Sequence, residues 1–121
     1  MNNEAIICLG GNTADIHSRI EAAEGFMATL GEVMASSGRY RTAPEYAGES
    51  EPYLNEVMKL STNLDIEELR KRTKDYERAV REQNTAAPLV NLDIDIVVWN
   101  GTVIRPKDAV AAYFKQGLAK L

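Results

Sequence analysis

Hydrophobic and polar positions change period several times along this chain, and each change marks an element. Glu4 to Leu9 is a short apolar run, the pattern of a buried strand. Gly10-Gly11-Asn12 closes it as a tight strand-to-helix turn. Ile16, Ile20, Ala23, Met27 and Leu30 then recur at helical spacing. They predict a helix over Ile16 to Leu30, capped by Thr13 or Asp15 and ended by Gly31. Val33 to Thr42 reads as a second strand interrupted by Ser36-Ser37-Gly38, followed by a turn-rich loop through Pro44, Gly48 and Pro52. Tyr53 to Leu60 reads as a third strand, and Asp65 as the cap of a second helix running to Arg81, with Leu69 inside and a dense charged face outside. Asn84 to Pro88 is a loop into the strand Leu92 to Trp99. Asn100-Gly101 is a hairpin signal, so Thr102 to Ile104 returns as a short strand. Lys107 to Leu121 reads as a final helix with Val110, Phe114 and Leu118 spaced i, i+4, i+8.

The order β-α-β-β-α-β predicts an α+β protein of the split βαβ, or ferredoxin-like, arrangement. In it an antiparallel sheet carries two helices on one face, here with a C-terminal hairpin strand and helix added. The other face is then open to bind something. No repeat, low-complexity tract or linker divides the chain, so residues 1–121 read as a single domain.

Composition narrows the function classes. With 45% hydrophobic residues the chain can bury a core. The net charge is −4 and the densest basic cluster is Arg70-Lys71-Arg72, which makes nucleic acid a poor partner. No apolar stretch reaches membrane-spanning length, and Met1-Asn2-Asn3-Glu4 has no basic lead into an apolar segment. A cytoplasmic location is the expectation, with Cys8, the single cysteine, as a buried structural thiol. His17 has no second His or Cys near it and reads as a solvated side chain.

The run Leu92-Asp93-Ile94-Asp95-Ile96 carries the most chemistry. Side chains at i and i+2 of a strand leave the same face about 6.5 Å apart. Asp93 and Asp95 therefore look out of one surface while Leu92, Ile94 and Ile96 look into the other. Aspartate is depleted in strands. Paired hard oxygen donors on a rigid element suit Mg²⁺, which binds through one or two carboxylates plus substrate phosphates. An amphipathic strand with an acidic outer face is the competing reading.

Four segments carry a family resemblance: Leu9-Gly10-Gly11-Asn12, Tyr40-Arg41-Thr42-Ala43-Pro44, Tyr53-Leu54-Asn55-Glu56-Val57 and Asn91-Leu92-Asp93-Ile94-Asp95-Ile96. In this order and spacing they resemble the 6-hydroxymethyl-7,8-dihydropterin pyrophosphokinases, folate-pathway enzymes that move pyrophosphate from ATP to a pterin alcohol. The resemblance implies that Asp93 and Asp95 hold two Mg²⁺ ions on the triphosphate. It implies that Asn55 bonds the pterin edge, that Tyr53 stacks on the ring, and that Thr42 to Pro44 adds main-chain contacts. It places Glu77 on the second helix facing the nucleotide.

The departures from the family concern its basic residues. Where the family carries Gly-Arg-x-Arg, this chain reads Ala79-Val80-Arg81-Glu82-Gln83 and keeps Arg81 as the catalytic cation. Where it carries Pro-Arg-Thr, this chain reads Pro88-Leu89-Val90. Valine offers nothing to a phosphate that an arginine fork would grip. The family's Pro-His-Pro segment has no counterpart, and Tyr113 or Phe114 is left to form a second aromatic wall. The first reading is the Mg²⁺- and ATP-dependent pyrophosphokinase. Its rivals are a lapsed paralogue that binds pterin or nucleotide, and a ferredoxin-like module that self-associates into a homo-oligomer.

Overall fold

The computed structural model describes residues 3–43, 51–83 and 92–121. The elements in chain order are β1 (Asn3–Gly11), α1 (Ile16–Leu30), β2 (Glu32–Ser36), β3 (Tyr40–Thr42), β4 (Tyr53–Thr62), α2 (Ile66–Gln83), β5 (Asp93–Trp99), β6 (Thr102–Val103), α3 (Pro106–Ala109) and α4 (Ala112–Leu118). The six strands form one sheet in the order β2-β4-β1-β5-β6, with β3 also on β4. Each strand pair is antiparallel. This is the ferredoxin-like α+β fold, with β1 at its centre.

Alternation along the strands sorts side chains between two cores. Ala5, Ile7 and Leu9 of β1, Leu54, Met58 and Leu60 of β4, and Ile94 and Ile96 of β5 pack against α1 and α2. The inner stripe of α1 is Ile16, Ile20, Ala23, Met27 and Leu30, and α2 adds Leu69 and Val80. Phe26 and Tyr76 stack between the two helices with centroids 4.2 Å apart. The i+1 positions point the other way. Cys8, Val57 and Val97 meet Tyr40 and Phe114 in a smaller cluster under α4.

Local signals hold where the sequence is explicit. The Asp65 Oδ1 accepts the Glu68 N–H at 2.8 Å, the expected helix cap. The Asn100-Gly101 turn has φ of 48° and 81°, the two left-handed residues a tight hairpin requires. Gly38, also left-handed at φ 73°, marks the break between β2 and β3.

Two expectations are corrected. Gly10 and Gly11 do not form the turn: β1 runs through both, paired with Asn55 and Leu54 of β4. The final helix is not continuous. It divides at Val110–Ala111, where Ala111 is extended (φ −73°, ψ 143°). Phe114 is buried, but Val110 is 68% and Leu118 39% exposed, so the i, i+4, i+8 stripe is not an inner face. These two short helices also cover part of the sheet face expected to be open. The loop expected at Asn84 to Pro88 lies outside the described residues.

Candidate functional site

Register across the three central strands builds a pocket on the sheet face opposite α1 and α2. Gly10 of β1 pairs with Asn55 of β4 on one side and with Asp93 of β5 on the other. One residue pair along, Cys8 lies between Val57 and Asp95. A row Asn55–Gly10–Asp93 therefore crosses the sheet with no side chain at its centre. The trough so formed is lined by Tyr53, Asn55 and Thr42 toward β3, by Asp93 and Asp95, and by Tyr113 from α4. Arg105 and Asp108 close its far side.

Each wall is fixed by its own bonds. The Asn55 Nδ2 donates to the Thr42 Oγ1 at 2.7 Å, and the residue is 3% exposed. Its orientation is thus set before any ligand arrives, leaving an amide hydrogen and the Oδ1 for a ring edge. Tyr113 donates its hydroxyl to the Asp108 Oδ1, and the Arg105 Nε donates to the Asp108 Oδ2. The Tyr113 carbonyl in turn accepts from the Tyr40 hydroxyl. The α3–α4 segment is tied down on both sides of the pocket rim.

The two aspartates are charged with difficulty. Burial, then the neighbouring Asp95 and Glu77, pushes the Asp93 carboxyl up to about 6. Burial also raises Asp95, although Arg105 and Lys74 oppose it. The Lys74 Nζ and the Arg105 Nη2 each lie 3.6 Å from the Asp95 Oδ1, ion pairs too long to be hydrogen bonds. Burial first, then Asp95, drives the Cys8 thiol well above its ordinary value, so it is an inert part of the pocket floor.

Glu77 stands behind β5 rather than in the pocket lining. It is 4% exposed, and its Oε2 accepts the Ile94 N–H at 3.0 Å. Lys74 donates to both Glu77 oxygens and to the Ile94 carbonyl at 3.2 Å. Because β6 reaches only Val98 and Trp99, this Lys74–Glu77 couple satisfies the edge of β5 where no strand among the described residues does.

The structure thus brings Asp93, Asp95, Thr42, Tyr53 and Asn55 into one pocket. Arg81 is an exposed residue of α2 whose charge lowers the Asp93 carboxyl without lining the pocket. Pro44 lies outside the described residues, as does Val90. Of the two aromatic candidates, Tyr113 lines the pocket and Phe114 is buried in the cluster beneath it. Sequence reasoning missed Arg105, Asp108 and Lys74. Lys74 had a signal: it precedes Glu77 by three residues on a helix, so the two share a face. Arg105 had one too, standing directly after the hairpin strand.

A divalent cation fits this donor set. Asp93 and Asp95 offer hard oxygens on one face, and their mutual repulsion under burial is what a cation would relieve. Among the described residues no three His, Cys, Asp or Glu side chains converge into a closed cage. Mg²⁺ binds through one or two carboxylates and takes its other ligands from water and phosphate, which is the donor number Asp93 and Asp95 offer.

Comparison with known proteins bears on the family of the chain. Residues 6–121 match the family model of 7,8-dihydro-6-hydroxymethylpterin-pyrophosphokinase. The folic acid synthesis protein FOL1 of Dictyostelium discoideum is 28% identical over 109 residues, covering 88% of this chain. The chain spans 16% of the length of that relative. Among the described residues no helix is long and apolar enough to cross a membrane. With nearly the whole sequence matched from the first strand to the last residue, the chain belongs to the 7,8-dihydro-6-hydroxymethylpterin-pyrophosphokinase family.

Proposed function

We propose that the protein transfers pyrophosphate from ATP to 6-hydroxymethyl-7,8-dihydropterin with Mg²⁺, releasing AMP, as a step of folate biosynthesis. The observation that carries this reading is the row Asn55–Gly10–Asp93: a side-chain amide and a carboxylate separated by a backbone position with no side chain. A flat ring laid over Gly10 meets Asn55 at its edge and the Tyr53 and Tyr113 side chains at its walls. Its hydroxymethyl group then lies on the Asp93–Asp95 side, where the phosphates must come. Asp93 and Asp95 would hold Mg²⁺, which supplies neutralisation of phosphate charge when bound. The protein's own contribution is positioning. Thr42 fixes the Asn55 amide, and the bonded Arg105–Asp108–Tyr113 group fixes the opposite rim. Phosphoryl transfer depends mainly on such placement and on fixed charge.

The test is direct. Protein, ATP, Mg²⁺ and the dihydropterin alcohol should release AMP at a rate well above an Asp95→Ala control. AMP release no faster than that control removes the enzymatic reading. Calorimetric binding of pterin or Mg–nucleotide without AMP would favour the second reading, a lapsed paralogue, which the Val90 and Gln83 departures motivate.

A further inference from the structure

A second groove adjoins the pocket and runs along the Lys74 side of β5 toward α2. It shares Asp95 and Arg105 with the pocket and is lined beyond them by Arg70, Thr73 and Lys74, over a floor of isoleucines. Its charged lining is three cations to one carboxylate, in a chain whose net charge is −4. Arg70, Lys74 and Arg105 are held from outside the groove by Glu67, Glu77 and Asp108, so their charge is fixed at the wall that an anion entering the groove would meet. Of its isoleucines, Ile94 and Ile96 are buried in the helix-side core and Ile104 is partly exposed beside that charge.

We infer that Lys74 and Arg105 are the phosphate-gripping cations of this chain, holding the triphosphate of the nucleotide where the groove meets Asp95. The inference rests on the pyrophosphokinase reading and names the residues that take up the charge absent at Val90. The two cations have different jobs. Lys74 spends its donors on Glu77 and on the Ile94 carbonyl, so it contributes fixed charge from a locked position. Glu77 is then a positioning residue acting through Lys74. Arg105 spends Nε on Asp108 and is 46% exposed along its side chain, so its outer guanidinium edge is open to the groove. A planar fork so held grips phosphate oxygens in pairs. At 3.6 Å neither cation is hydrogen-bonded to Asp95, so a phosphate can approach with no hydrogen bond broken, meeting the charge of Lys74 and the open N–H edge of Arg105.

The experiment is calorimetric titration of the full chain with Mg²⁺ and α,β-methylene-ATP, and separately with Mg²⁺ and tripolyphosphate, beside a fluorescence titration with 6-hydroxymethylpterin. Arg105→Gln and Lys74→Gln should each weaken both phosphate probes by about tenfold or more. Pterin affinity should stay within about twofold of the parent in Lys74→Gln, because Lys74 does not line the pterin pocket. Lys74→Arg should recover part of the loss. Arg105→Gln guards against a folding artefact, because its side chain is half exposed. Parental affinity for both probes in variants that melt cooperatively overturns the inference, whatever the AMP assay gives. Loss of phosphate affinity with no AMP formed by the parent upholds the inference and removes only the proposed activity. A parent that binds neither probe overturns both.

Discussion

Gly10 and Asn55 face each other across the β1–β4 ladder so closely that a Cβ on Gly10 would stand 2.8 Å from the Asn55 Oδ1. No conformational demand keeps glycine there; the amide above it does. Gly10→Ala must therefore displace the Asn55 side chain from its bond to Thr42. The stability loss should be modest, about 1 kcal/mol, the net worth of one hydrogen bond. The binding loss should be larger, because the displaced amide no longer meets the ring edge. Fluorescence titration with 6-hydroxymethylpterin should show affinity down by about tenfold or more, with the urea midpoint lowered only by the amount that about 1 kcal/mol gives. Parental affinity would mean that Asn55 does not bind the ring.

Glu77→Gln tests the edge-capping role of Glu77 and its hold on Lys74 together. The buried carboxylate answers the Lys74 ammonium and the Ile94 N–H. Glutamine keeps one acceptor but places an amide N–H against a lysine or a backbone N–H. A loss of about 1–3 kcal/mol is expected, the range for an unsatisfied buried polar group, read as a lower urea midpoint with the slope unchanged. Because Lys74 loosens as well, affinity for Mg–α,β-methylene-ATP should fall in parallel.

How much of this was legible in the sequence depends on distance along the chain. Asp93 and Asp95 share a face by the i, i+2 rule, and the apolar periodicity located α1 to the residue. The Gly10-Gly11 pair misled because glycine disfavours strands in isolation, while pairing with a long β4 overrides that preference here. The break at Ala111 has no breaker residue: Ala109-Val110-Ala111-Ala112 would continue a helix. Tertiary packing decides it, by turning Phe114 into the sheet. Arg105, Asp108 and Tyr113 enter the pocket only through docking of α3 and α4 on the far face, which no local period encodes.

Glu56 gives a pH dependence away from the pocket. It lies among β4 side chains on the helix side, 3% exposed. Its Oε2 accepts the Ser36 hydroxyl, and among the described residues no donor reaches its Oε1. The Glu24 carboxyl acts on Glu56 as a hydrogen-bonding neighbour, raising one acid and lowering the other, the pattern of a pair that holds one proton. Burial, then Glu24, pushes Glu56 up to about 7, whereas Glu24, bonded to Glu56 and then Arg39, is lowered. With its folded value above the unfolded one, Glu56 binds its proton more tightly in the native state. Stability should be highest below about pH 4.5 for this group and fall as pH rises through 7. Glu56→Gln mimics the protonated form, since its amide can donate to Glu24. It should flatten that fall and raise stability at pH 8 by about 1–3 kcal/mol. Urea midpoints for both proteins from pH 5 to pH 8 check this, and parallel curves would show that the shared proton is absent.

Gly117 holds the last helix on the sheet by having no side chain. A Cβ there would collide with the Val57 side chain and the Tyr40 hydroxyl. Val57 is fully buried in β4, and the Tyr40 hydroxyl is committed to the Tyr113 carbonyl. Neither can move aside without opening the cluster around Phe114. Gly117→Ala should therefore lower stability by about 1–3 kcal/mol, the usual range for overpacking a filled core. Alanine's better helix propensity offsets up to about 1 kcal/mol of that, so a net gain in the urea midpoint would show that α4 does not dock here. The same displacement carries Tyr113 away from the pocket rim. Pterin affinity should drop with stability, while binding of Mg–α,β-methylene-ATP, held by groups on α2 and at Arg105, should change less.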